Sequence, residues 1–284
     1  MKDRKDGKRV PITGLMQCCI DLKPGRMENE VYLNTKMDVT PLCEFVEKCA
    51  AEGVKYSYFQ AFVAAIAKVL YARPRLNRFI CNRHLYEHND VTISFVAKMS
   101  LDDKSEEIML VIPVDGDDNI DTIAEKVAKK VENLRGKSVT KKGANSAIDV
   151  LGKLPNFFRV PIFGIIKGLA EKGHLPTSLM KDNIYFSSMI VTNLGSIRCG
   201  AIYHNLANFG TCSSLAAIGE IVPEKRVDAQ GNERLIRTCE FGITLDERIA
   251  DGFYFAKSAK QIEYILQHPY LLKQKVSDPI EAQG

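Results

Sequence analysis

Apolar and polar residues alternate from Asn29 to Met37, with Val31, Leu33, Thr35 and Met37 on one side. This period of two predicts a half-buried strand. Asp38-Val39-Thr40-Pro41 then opens a helix, with Thr40 as its cap and Pro41 in its first turn. Its stripe is Leu42, Phe45 or Val46, and Cys49, and Gly53 stops it. Ser57 and Gln60 have the spacing of a capping box. Phe59, Phe62, Val63, Ile66, Val69 and Leu70 follow at helical spacing with alanines between them, which predicts a helix buried on most sides that ends near Arg73-Pro74. Strands are predicted over 91–97 and 107–114, separated by a polar turn at 101–105. Ile120, Ile123, Val127, Val131 and Leu134 predict an amphipathic helix that ends at Gly136.

Residues 137–183 break the pattern. Lys137 to Gly143 is polar, and Leu151 to Leu175 is apolar but punctuated by Pro155, Pro161, Gly164 and Gly168, which predicts short helical pieces. Such an insertion reads as a lid or packing arm. Its close-set Phe157, Phe158, Ile162, Phe163, Ile165 and Ile166 raise a second reading, a surface for an acyl chain or a membrane interface. Strands are predicted over 184–191, 215–222 and 235–245, with a turn at 228–232 before the last of them, and a final helix runs over 253–266. Strands interspersed with helices and hairpin-length turns imply an α/β sandwich with a mixed sheet.

Composition narrows the class without naming it. Hydrophobic residues make up 45% and charged residues 26%, and 39 basic against 35 acidic residues give a net charge of +4. That balance is too mild and dispersed to imply nucleic acid, and the basic run Lys2 to Arg9 reads as a frayed, solvated terminus. The eight cysteines include no Cys-x-x-Cys pair, and the five histidines stand at no ligand spacing from them, so no metal site is expected. Several cysteines fall on apolar faces, as in reduced cytosolic proteins. No apolar run approaches a transmembrane length, so a cytoplasmic protein is expected.

The chemistry is concentrated in Thr244-Leu245-Asp246-Glu247-Arg248-Ile249-Ala250-Asp251-Gly252, between the last strand and the last helix. This stretch resembles the signature of the chloramphenicol-acetyltransferase and dihydrolipoamide-acyltransferase superfamily, in which His-x-x-x-Asp-Gly follows a strand; the fuller form is Asp-His-Arg-x-x-Asp-Gly. Asp246, Arg248, Asp251 and Gly252 match, and Glu247 stands where the family has its histidine. Further resemblances follow in order: Met37-Asp38-Val39-Thr40, Tyr56-Ser57-Tyr58-Phe59 through Arg73-Pro74-Arg75-Leu76-Asn77, Leu110-Val111-Ile112-Pro113-Val114, and Ile190-Val191-Thr192-Asn193-Leu194-Gly195. Together they cover about 29–270 without 137–183, so residues 1–28 are expected to form an N-terminal arm and 29–284 an acyltransferase-like catalytic domain.

The resemblance implies a chloramphenicol-acetyltransferase-like two-layer sandwich and acyl transfer between coenzyme A and an acceptor. Carried over by position, Thr192 falls at the oxyanion donor, and a hydroxyl can do that work. Asp251 falls at an aspartate that orders the site through a charged partner. Asn193, Gly195 and Gly252 fall at positions that bind coenzyme A, with Gly252 allowing a tight turn into the helix. The resemblance also implies a homotrimer with each site between two subunits. Coenzyme A would enter as acyl-CoA substrate beside a small-molecule acceptor. No covalent lipoyl group is expected, since Asp103-Lys104-Ser105 is a polar turn inside the catalytic-type domain.

Glu247 alters the expected mechanism. A free glutamate ionises near 4.3 and a thiol near 8.5, so full proton transfer would cost on the order of 5 to 6 kcal/mol. Burial beside Leu245 and Phe253 would narrow that gap, and Arg248 would widen it. Three readings stay open: Glu247 is a retuned base, His204 in Tyr203-His204-Asn205 supplies the base, or the fold persists as a non-catalytic acyl-CoA-binding or scaffold protein.

Overall fold

The apolar spacing from Phe59 to Leu70 does form a helix, and the molecule is organised around it. The structure is a computed structural model that describes residues 3–98, 107–135, 151–227 and 231–280. In chain order the elements are β1 (Gly7–Arg9), α1 (Gly14–Leu22), β2 (Glu30–Asp38), α2 (Thr40–Ala51), α3 (Tyr58–Ala72), β3 (Arg78–Cys81), β4 (His84–His88), β5 (Val91–Lys98), β6 (Glu107–Val114), α4 (Ile120–Arg135), α5 (Asn156–Glu171), α6 (Thr177–Met180), β7 (Met189–Asn193), β8 (Ser214–Val227), β9 (Glu233–Asp246) and α7 (Gly252–Gln267).

Six strands form a mixed sheet in the order β2-β9-β8-β7-β5-β6. The β5, β7 and β8 strands run parallel, and the other neighbours are antiparallel. One face carries Leu33, Ile93, Val191, Ala216, Phe241 and Ile243, and α2, α3, α4 and α7 bury it in the main core. Phe62 of α3 meets Phe241 edge-on at 5.4 Å, and each such side chain stabilises the fold by roughly 1.5–3 kcal/mol. The mixed α/β sandwich expected from the pattern is what the chain forms.

Local chemistry explains the boundaries. Ser57 and Gln60 make the reciprocal capping box at the start of α3. Gly53, at φ +92°, lies just beyond α2 in a backbone region that glycine tolerates best. Thr40 is not the cap of α2: the Asp38 carboxylate accepts the Thr40 N–H, while the Thr40 hydroxyl accepts the Arg237 N–H at 2.7 Å.

Three further expectations are corrected. The basic terminus is not frayed, because β1 pairs with β4 in a second sheet of order β1-β4-β3. Arg4 there is buried against Asp6 and donates to the carbonyls of Ala170 and Glu171 at 3.0 and 2.7 Å. The apolar insertion is not a set of short pieces, since α5 runs for 16 residues through Pro161. That proline removes the bond to the Phe157 carbonyl, which sits on an exposed turn where water can serve it. Finally, the run from Ile184 to Val191 is only partly strand: 184–186 make a 3-10 turn before β7. The turn expected at 101–105, the polar stretch 137–143, and the start of the turn at 228–232 lie outside the described residues.

Candidate active site

At the end of β9 two buried arginines converge on one carboxylate. Arg248 donates to Asp246 through Nε at 2.8 Å and Nη2 at 2.7 Å, and Arg26 Nε lies 3.7 Å from the same carboxylate. Arg248 also donates to the carbonyls of Lys23 and Pro24, and Arg26 to those of Ala207 and Gly210. Asn29 closes the corner, donating to Lys23 and Gly25 while its own carbonyl accepts the Glu247 N–H at 2.8 Å. The backbone at Glu247 is thereby fixed from both sides.

The Glu247 side chain itself is about half exposed (47%) and meets Lys23 Nζ at 3.4 Å. Two expectations about its surroundings fail. Leu245 points into the core and Phe253 is 72% exposed, so neither walls off the carboxylate. The charge of Arg248 is committed to Asp246, and the cation that faces Glu247 is Lys23.

Asp251 caps α7, accepting the Tyr254 N–H at 2.8 Å, and its other oxygen lies 3.8 Å from Arg75. Among the described residues Arg75 is the cation paired with Asp251, and both side chains are exposed. Gly252 opens α7 without a positive φ, and a Cβ added there would meet nothing within 4 Å. The turn therefore does not require glycine, which corrects that expectation.

Thr192 lies elsewhere. It pairs with Ala217 of β8, which pairs with Gly242 of β9, five residues before Glu247. At strand spacing the two residues stand roughly 17 Å apart along the sheet and 10 Å across it. Thr192 shares the face of Ile190, away from the helices, and its hydroxyl has no protein partner among the described residues. Asn193 ends β7 beside it. Gly195 packs so closely on β8 that an added Cβ would fall 2.7 Å from the Gly219 carbonyl.

A strap joins these two regions. From Cys199 the chain crosses β8 at Gly219 and β9 at Gly242, where an added Cβ would fall 2.8 Å from Ala201 N and 2.4 Å from the Ile202 carbonyl. A bulge in β8 between Ile218 and Ile221 turns the Glu220 N–H to the Cys199 carbonyl at 3.0 Å. The strap then reaches the other edge, where the Tyr203 ring lies 5.1 Å from that of Tyr32 and Glu30 accepts the Leu206 N–H at 2.5 Å. Glu30 pairs with Asp246, so His204 arrives at the corner that holds Glu247. The Nε2 of His204 is buried without a partner among the described residues.

Glu247, Asp251, Gly252 and His204 thus gather at one end of the sheet, and Thr192, Asn193 and Gly195 at another. The sequence reading missed Lys23, Arg26, Glu30 and Arg75; their only signal is charge, and each meets a partner distant in the chain. An apolar cavity of about 30 Å³ between the sheet and α7, room for about one water, and a surface pocket of about 240 Å³ bordered by Arg9, Gln17 and His84 touch none of the candidate residues.

No family model matches the chain, and no curated protein sequence matches it. Solved structures do. A probable dihydrolipoamide acetyltransferase from Listeria monocytogenes 4b F2365 is 17% identical at a TM-score of 0.58, covering 92% of this chain and 94% of that one. The cubic core of the pyruvate dehydrogenase multienzyme complex is 16% identical at 0.61, covering 93% of each chain. Chloramphenicol acetyltransferase is 10% identical at 0.53, covering 92% of this chain and 99% of that one. The fold of this chain is that of these acetyltransferase cores.

Proposed function

We propose that this chain is a coenzyme A-dependent acyltransferase of the cytoplasm, acting on an acyl-CoA and a small-molecule acceptor. The observation that carries the reading is the corner around Asp246. Two arginines are spent on that one aspartate, which leaves the adjacent Glu247 carboxylate free of both and held at the sheet end. In the reaction, Glu247 takes the proton of the acceptor hydroxyl or thiol as that atom attacks the thioester carbonyl. The Thr192 hydroxyl donates to the resulting oxyanion. Collapse breaks the carbon–sulfur bond, and the coenzyme A thiolate leaves with the proton returned from Glu247.

The separation of Thr192 from Glu247 within one chain supports a site completed by a second copy, in a homotrimer. The free space beside Gly252 is consistent with a neighbour or ligand closing there. His204 is the competing base, on the strength of its unpartnered buried nitrogen.

A second reading is a non-catalytic acyl-CoA binder or scaffold. The contact between Lys23 and Glu247 favours it, since an ion-paired carboxylate needs no other role; the pair is exposed and worth roughly 0–1 kcal/mol. Thiol release from acetyl-CoA and longer acyl-CoAs, with thiol, hydroxyl and amine acceptors, separates the readings. Acceptor-dependent turnover lost in Glu247→Gln supports the first. Turnover that survives Glu247→Gln and is lost in His204→Ala moves the base to His204. Calorimetric binding of coenzyme A without any turnover selects the binder.

A further inference from the structure

The α5 helix is apolar on both sides. Its inner stripe, Ile166 and Ala170, packs on Leu175, Phe186 and Phe209. Arg4 fixes the end of the helix through the Ala170 and Glu171 carbonyls. Its outer side exposes Phe157, Phe158, Val160, Phe163, Ile165 and Leu169, each between 38% and 81% accessible. These positions spread over about two thirds of the circumference at about 100° per residue, and a helix apolar all round is normally covered all round.

The charges beside this face have one sign. Residues 151–183 hold five lysines and arginines against two carboxylates, and both carboxylates are engaged. Glu171 accepts the Asn82 N–H at 2.7 Å, and Asp182 lies 3.3 Å from Lys130. Lys153, Lys167, Lys172 and Lys181 have no acidic partner among the described residues. No described helix is long and apolar enough to cross a membrane. At 16 residues α5 is about 24 Å long, which suits a helix lying in the plane of a bilayer surface.

We propose that α5 seats this protein on an anionic membrane surface, its exposed aromatic and aliphatic arc entering the headgroup boundary and its lysines meeting lipid phosphate or carboxylate. Two observations favour lipid over a second copy of the chain. Packing helix on helix covers a stripe, whereas a bilayer covers a broad arc. Two copies of this face would also set like charges against each other, while an anionic surface neutralises them.

The chain has no tryptophan, so Phe158→Trp installs a single tryptophan on the face, excited selectively over the tyrosines. It is mixed with large unilamellar vesicles of phosphatidylcholine alone or with added phosphatidylserine, followed by flotation. The expected result is a blue shift and co-flotation with the anionic vesicles, at least about tenfold weaker with phosphatidylcholine alone. Phe157→Glu with Ile165→Glu abolishes flotation while leaving the denaturation midpoint and the mass by light scattering unchanged. Lys167→Glu with Lys172→Glu, both on the surface, weakens binding to anionic vesicles in a fully folded chain. Absence of flotation with either vesicle, or flotation unaffected by both pairs of substitutions, overturns the proposal. A wild-type assembly that ignores vesicles and loses mass in Phe157→Glu with Ile165→Glu assigns the face to a contact between copies instead.

Discussion

Arg248 grips Asp246 with two nitrogens of its guanidinium, and neither side chain has more than 3% of its surface exposed. Arg26 approaches the same carboxylate from the segment before β2. Removing the aspartate strands two buried cations. Asp246→Ala is expected to destabilise the fold by about 3–5 kcal/mol, read as a lower urea midpoint. A loss below about 1 kcal/mol would mean that this corner does not hold the structure together.

Thr192 presents a hydroxyl with no protein partner among the described residues. If it donates to the oxyanion, Thr192→Val lowers kcat by about 10²–10³ and leaves KM nearly unchanged. Glu247→His installs a base with a free value near 6.5, closer to a neutral operating pH. That variant is expected to raise kcat and to move the acid limb of the pH–rate profile up toward 6.5. An unchanged limb would take Glu247 out of the proton transfer.

Much of the main sheet and its helices was legible because its signals are local. Ser57, Gln60 and the apolar spacing of α3 lie within a few residues of each other, as do the alternations of β2 and β9. What was not legible depends on distant partners. The β3–β4 hairpin turns at Asn82 and Arg83, both at positive φ, where no glycine marks the turn. The identity of Arg75 as partner of Asp251 spans most of the chain. The motif placed Glu247 and Thr192 in strand-end positions, but their separation follows from register, which no short motif encodes. Pro161 and Gly164 read as breaks in α5, although a solvent-facing turn accommodates them.

Gly242 and Gly252 make a matched pair for testing the strap. A Cβ at Gly242 would lie 2.4 Å from the Ile202 carbonyl, so Gly242→Ala must push the strap off β9. The expected cost is about 1–3 kcal/mol, with faster amide exchange over 199–206. Gly252→Ala meets no neighbour and sits at a helix start, so it is expected to change stability by no more than about 1 kcal/mol. Equal effects of the two would remove the strap's close approach as the cause.

His88 stacks on Phe79 with ring centroids 4.4 Å apart, and its Nε2 lies 3.4 Å from the Thr211 carbonyl. Burial pushes its imidazolium form down to about 4, against a free value near 6.5. The fold therefore favours neutral His88. That contribution is complete above about pH 6.5 and is lost as pH falls toward 4, to a limit of about 3 kcal/mol. Urea midpoints measured across this window should fall with pH in the wild type and vary less in His88→Gln. A slope unchanged by the substitution would assign the acid sensitivity to other groups.

The pairing of β2 has a consequence for synthesis. The β2 strand is an edge of the main sheet and among the described residues pairs only with β9, whose last residue lies more than 200 positions later. At about 5–20 residues per second, a ribosome leaves the β2 edge without its neighbour for roughly 10 to 40 s. Through that interval Val31, Leu33 and Met37 form an open strand with an apolar face, the kind of segment that invites pairing between nascent chains. The Asp246 corner can close only at the end of that wait. Premature termination anywhere before β9 thus yields chains that lack the corner and carry an adhesive edge, which makes them substrates for chaperones and proteases.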